Sequence, residues 1–172
     1  QQGEVTRLSL AEVDGERVVF GGFTWMAGGG RGAARRVGAI RRFRVHDGAL
    51  LGELKTGGSL FASKCRRVAE HGRVRLCLEG DMVVEGGRLF VCEGDQGVHI
   101  FGLDDPLSPQ LLSTVPAQTR CYDVAVRGLM MAIAEPDHGA FLYDIRDPSS
   151  PVLVGSCSRP GRWRSRSRSA TP

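Results

Sequence analysis

Apolar and polar positions alternate in short runs, and turn-forming clusters punctuate them. No stretch of ten or more residues carries a helical apolar stripe. The pattern is clearest near the C-terminal end. Val124 to Val126 reads as a short strand closed by Arg127-Gly128, and Leu129 to Ala134 is an apolar run of strand length. Glu135-Pro-Asp-His-Gly139 is a turn cluster. Ala140 to Ile145 is rich in aromatic and branched residues, as strands are. Asp147-Pro-Ser-Ser-Pro151 then turns the chain, because proline fixes φ and donates no hydrogen bond. Val152 to Gly155 is the fourth strand.

The same four-strand unit occurs twice. A shift of 42 residues lays 81–115 over 123–157 without a gap, and 11 of the 35 positions are identical. Composition alone would give about two. The identities include Asp81/Asp123, Gly86/Gly128, Glu93/Glu135, Asp95/Asp137, Gly97/Gly139 and Asp105/Asp147. Four strands in a unit of roughly 40–45 residues is the period of a β-propeller blade. A blade must be repeated because it buries its faces only against its neighbours.

Gly97-Val-His-Ile-Phe-Gly-Leu-Asp-Asp-Pro106 and Gly139-Ala-Phe-Leu-Tyr-Asp-Ile-Arg-Asp-Pro148 resemble the LVIVD repeat. In that family a glycine precedes an alternating apolar strand, an acidic or polar residue, Asp-Pro and Ser-Pro. Asp123-Val-Ala-Val126 and Pro151-Val-Leu-Val-Gly155 match as well. His99 and Gly102 depart from the strand pattern of the first copy. The resemblance implies a β-propeller; it implies no single reaction.

The N-terminal third carries a degenerate version. Asp14-Gly-Glu-Arg-Val-Val-Phe20 resembles Glu85-Gly-Gly-Arg-Leu-Phe-Val91. Gly38 to Val45 reads as a third strand, Asp47-Gly48 as a turn and Leu50 to Leu54 as a fourth strand, with a Gly/Arg-rich insertion over Met26 to Val37. The expected organisation is all-β, a propeller segment of about three four-stranded blades in an incomplete ring. Residues 1–55 form the degenerate blade and 56–80 an irregular connection in which Val74, Leu76 and Leu78 alternate. Residues 81–115 form a blade, 116–122 the connection, 123–157 a blade and 158–172 a disordered Arg/Ser tail. Propellers typically carry about 4–8 blades. Three blades therefore imply either a fragment of a longer chain, which the opening Gln1 favours, or copies that associate through open blade faces.

Charge belongs mostly to the tail. The chain carries 23 Lys and Arg against 19 Asp and Glu. Residues 159–172 hold five Arg and no acid, which leaves 18 basic and 19 acidic groups, a net of −1. The body is thus no nucleic-acid binder by charge, and RNA contact is expected only through the tail. At 41 % hydrophobic the chain is too apolar for general disorder. Glycine, 24 of 172, is about twice the usual ~7 % and suits many turns. No apolar run reaches the ~18 residues of a membrane helix.

Candidate chemistry is sparse. Glu93 and Asp95 recur as Glu135 and Asp137 between the second and third strands, on the face that carries the inter-blade connection. These four are the candidate binding residues. They could hold a hard cation, or Asp95 and Asp137 could form Asx turns before Gly97 and Gly139. No catalytic residue, cofactor or resident metal is expected. The five cysteines, Cys65, Cys77, Cys92, Cys121 and Cys157, contain no C-x-x-C. They read as buried thiols on strands, or as including one disulfide between neighbouring repeats. Gly28 to Ala33 fits G-x-G-x-x-A but lacks a following helical stripe and reads as a loop. Arg31, Arg35, Arg36, Arg41, Arg42 and Arg44 read as a solvated strand face or a contact for phosphate or acidic partners. Of His46, His71, His99 and His138, His99 aligns with Phe141 and His138 with Gln96, so neither of these two occupies a repeated functional position, and no serine sits in G-x-S-x-G. The expected function is a non-catalytic binding or scaffolding module with a protein partner. The alternative is part of a propeller-based or metal-dependent hydrolase whose catalytic groups lie in further blades.

Overall fold

The computed structural model describes residues 4–13, 15–27, 35–54, 81–136, 138–158 and 163–165. Its described residues are all-β, arranged as three antiparallel meanders that form a propeller segment without ring closure. The first sheet is β1 (Glu4–Val13), β2 (Glu16–Ala27), β3 (Arg35–Arg44) and β4 (Leu50–Leu54). The second is β5 (Met82–Glu85), β6 (Arg88–Cys92), β7 (Val98–Gly102) and β8 (Gln110–Val115). The third is β9 (Asp123–Arg127), β10 (Met130–Glu135), β11 (Gly139–Asp144) and β12 (Val152–Cys157), with β13 (Trp163–Ser165) on its outer edge. Strands pair in sequence order in every sheet, as in blades joined by hairpins.

One irregularity identifies the first sheet as a blade although its sequence has drifted. Between the third and fourth strands the register slips by one residue in all three sheets. Arg42 faces Gly52 and Phe43 faces Leu50, so Leu51 is extra. Ile100 faces Ser113 and Phe101 faces Leu111, so Leu112 is extra. Leu142 faces Gly155 and Tyr143 faces Leu153, so Val154 is extra. Such a bulge sharpens the local twist. A second shared contact lies just past the third strand. The amides of Val45, Leu103 and Ile145 donate to the carbonyls of Arg17, Gly87 and Leu129, each at 2.9 Å.

The core lies between the sheets because strand side chains alternate. One face of the second sheet (Met82, Leu89, Val91, Phe101, Leu103) packs on Ala11, Val18, Phe20, Ile40 and Leu54. Its opposite face (Phe90, Cys92, Val98, Ile100, Val115) packs on Val124, Met131, Ile133 and Ile145. The middle blade is therefore buried on both sides, and every residue of β7 is buried.

Three expectations change. The stretch over Met26 to Val37 is in part a longer hairpin: Trp25 pairs with Val37, Met26 with Arg36 and Ala27 with Arg35. The tail expected to be disordered contributes β13, in which Trp163 pairs with Cys157. For the cysteines the buried-thiol reading falls at one pair and the alternative of one disulfide holds: Cys92 and Cys121 are bonded, with Cα atoms 5.6 Å apart, joining the end of β6 to the connection before β9. The expected strand through Val74, Leu76 and Leu78 lies outside the described residues, as do Gly28 to Ala33, Arg31, Cys65, Cys77 and His71. Among the described residues, no helix is long and apolar enough to cross a membrane.

Candidate functional site

The repeated turn between the second and third blade strands sits on one face beside the connection 116–122, as expected from the repeat. Its glycines are dictated by geometry. Gly97 and Gly139 both adopt φ of 92°. A Cβ on Gly97 would come within 2.0 Å of the Val115 carbonyl oxygen, and one on Gly139 within 1.9 Å of the Cys157 carbonyl oxygen. Only glycine combines that dihedral with so close an approach to the fourth strand.

The two repeated glutamates are buried. Glu135 accepts hydrogen bonds from the amides of Gln118 and Thr119, both at 3.0 Å, and from Thr119 Oγ1 at 3.3 Å. It pins the connection between the second and third blades. Its charge adds to burial in pushing the Tyr143 phenol above its ordinary value. Glu93 has a different partner: its Oε2 lies 2.8 Å from His99 Nε2. His99 Nδ1 in turn lies 2.8 Å from Thr114 Oγ1. His99 is buried at the position that Phe141 occupies in the third blade.

Asp95 is solvent-facing, with 80 % of its side chain exposed, and lies 3.6 Å from Arg120 Nε. The turn closes through the Gln96 amide to the Glu93 carbonyl, at 2.9 Å. Asp137 lies outside the described residues. The structure thus separates the candidates: two glutamates turn inward and Asp95 outward. Among the described residues, no three His, Cys, Asp or Glu side chains converge as a metal-holding group.

Asx turns occur at the Asp-Pro motif. Asp105 Oδ1 accepts the Leu107 amide at 2.8 Å, and Asp147 Oδ1 accepts the Ser149 amide at 2.9 Å. The Ser149 hydroxyl and amide hold the Asp147 carboxyl below its ordinary range. These turns dock on the preceding blade. Arg42 Nη1 donates to the Leu107 carbonyl, and Ser113 Oγ donates to the Pro148 carbonyl at 2.6 Å.

A further pair appears near the inner strands. Asp81 and Asp123, identical in the repeat, are close enough to interact, and burial followed by the neighbouring Asp81 carboxyl raises Asp123. Arg7 Nε lies 3.1 Å from Asp81 Oδ1. The sequence marked both aspartates as repeated but not as neighbours.

Of the basic cluster, the described side chains of Arg41, Arg42 and Arg44 are engaged within the protein. Arg41 Nε lies 2.9 Å from Glu53 and its guanidinium lies over the Phe23 ring at 5.5 Å. Arg44 lies 3.0 Å from Asp47.

No family model matches the chain, and no curated protein matches it. A solved structure does. A computationally designed protein, Ika8, aligns with a TM-score of 0.53 and 15 % identity over 84 % of this chain. The match covers 34 % of Ika8, so this chain spans about a third of that neighbour's length. At this identity the likeness concerns the fold alone.

Proposed function

We propose that the chain is a non-catalytic binding or scaffolding module of the LVIVD-repeat type, which offers the turn face of its blades to a protein partner. The observation that carries this reading is how the repeated polar residues are used. Glu135 fastens a connection, Glu93 is buried beside His99, and Asp105 and Asp147 build the turns that join blades. The repeat's chemistry goes into rigidity. Among the described residues, those outward on that face include Asp95, Arg120 and Tyr122, the last 51 % exposed. An exposed tyrosine beside a charge pair is the composition of a protein contact.

The test has two arms. A photo-crosslinking residue placed at Tyr122 should capture a discrete partner, and Asp95→Arg should abolish that capture without lowering the melting temperature. In parallel, chelator-treated protein should show no change in melting temperature with Ca²⁺, Mg²⁺ or Zn²⁺ and no turnover of ester or phosphoester substrates. A cation-dependent stabilisation lost in Asp95→Ala, accompanied by hydrolysis, would replace this reading with the metal-dependent hydrolase.

A further inference from the structure

The strand registers define equivalent positions in the three blades. Leu10 faces Val19, which faces Phe43. Val84 faces Leu89, which faces Phe101. Val126 faces Met131, which faces Tyr143. By the same registers Leu8 corresponds to Met82 and Val124, and Val45 to Leu103 and Ile145. In the second and third blades these positions form the face that packs on the preceding blade. Met82, Leu103, Val124 and Ile145 are 5 % exposed or less. In the first blade the same positions remain apolar, yet Leu8 is 66 %, Leu10 55 % and Val45 38 % exposed. The first blade therefore displays a blade-accepting face with nothing described on it.

The third blade displays the complementary face. Phe90, Cys92, Val98 and Ile100 of the second blade are fully buried under the third. Their equivalents one repeat later are Ala132, Ala134, Ala140 and Leu142, which are only half-buried. Small side chains on this face suit the bulkier Leu8, Leu10 and Phe43 on the other.

Charge indicates the occupant. The residue before the first of these positions is Arg7 in the first blade, Asp81 in the second and Asp123 in the third. Arg7 sits 3.1 Å from Asp81, so a first blade and an aspartate of this position already meet once. Asp123 has the carboxyl of Asp81 on one side. A first blade docked on the third would bring a second Arg7 to its other side.

We infer that two copies of this chain close head to tail, with the first blade of each seated on the third blade of the other, Leu8 and Leu10 covered by the Ala132–Leu142 face and Arg7 beside Asp123. Two copies supply six blades, within the typical range of about 4–8, whereas three would supply nine. The joint continues the packing that already unites the blades within one chain, and its two faces differ. Tyr122 borders this joint, since its amide donates to the Ala134 carbonyl at 2.9 Å, so Leu10→Glu, on the first blade, is the variant that separates self-association from the proposed partner surface.

Sedimentation velocity on the intact chain tests this. The wild type should run at twice its 18.6 kDa chain mass. Leu10→Glu, on the accepting face, and Ala132→Arg, on the alanine face, should each run as monomers with unchanged circular dichroism. Mixing the two variants should restore a dimer, because one intact Leu10 face then meets one intact Ala132 face. A wild-type monomer at every soluble concentration would assign both faces to blades of some other chain and overturn the inference. Variants that stay dimeric, or a mixture that stays monomeric, would overturn it equally. Asp123→Arg should weaken self-association at least tenfold; an unchanged dissociation constant would count against the Arg7 contact.

Discussion

Oε2 of Glu93 lies 2.8 Å from Nε2 of His99, and the two side chains are 1 % and 6 % exposed. Neither carboxylate oxygen of Glu93 receives a directed hydrogen bond from another described group. The histidine is therefore its compensating neighbour, and the pair tolerates removal of both members better than removal of one. His99→Phe, which installs the third blade's residue, should cost about 3 kcal/mol by urea unfolding. The double variant His99→Phe/Glu93→Leu should recover most of that loss. Equal destabilisation of single and double variants would show that packing, not the pairing, matters.

Gly97 and Gly139 should resist any side chain. Gly139→Ala forces a Cβ toward a carbonyl of β12 at a dihedral that disfavours alanine, and should lose about 3 kcal/mol or more. Gly128→Ala is the control. That glycine also has a positive φ, 59°, but a Cβ there would meet nothing within 4 Å. It should lose about 1 kcal/mol. Chemical denaturation of the three proteins gives the ranking, and a Gly128 variant as unstable as the Gly139 one would refute the steric account.

The Cys92–Cys121 disulfide closes a loop across a sequence separation of 29 residues. A loop of that length is worth about 3.6 kcal/mol through the unfolded chain. The Cys121 amide also bonds the Gly94 carbonyl at 2.8 Å, so the tether is reinforced at the backbone. Reduction, or the Cys92→Ser/Cys121→Ser double variant, should lower the unfolding midpoint by a corresponding amount. Reduction of that double variant should then produce little further change at this joint.

Asp123 makes stability depend on pH. Its carboxyl titrates above its ordinary 3.8, chiefly through burial and then through Asp81. The folded state therefore holds this proton more tightly than the unfolded state. Stability from this group is greatest in acid and declines as pH rises through the window that opens near 3.8. In the Leu10→Glu background, which removes the second copy's Arg7, Asp123→Asn should raise the melting temperature at neutral pH and raise it less at pH 3. An equal gain at both pH values would remove the electrostatic explanation.

Much of the fold was legible because the repeat carried it. The unit limits 81–115 and 123–157 coincide with β5–β8 and β9–β12 to within a residue, since Asp-Pro turns and Gly-preceded strands announce themselves locally. Leu50 to Leu54 was equally clear from Asp47-Gly48. The hairpin extension of β2 and β3 was not, because its glycines and arginines lack the apolar alternation of a covered strand. The site was less legible than the fold. Glu93 and Glu135 look alike along the chain, and only the third dimension shows one facing a histidine and the other a pair of amides. The Cys92–Cys121 link joins a strand end to a connection, a proximity that spacing along the chain does not encode.

Each Asp-Pro turn is held by the blade before it, through Arg42 in one case and Ser113 in the other, and that grip has a direction. Position 113 becomes Gly155 in the third blade, which has no hydroxyl to extend. The two ends of the arc are thus chemically unequal. A neighbour placed after the third blade must be retained by shape and charge alone, and that seam should be the first to part when the protein is pulled or warmed.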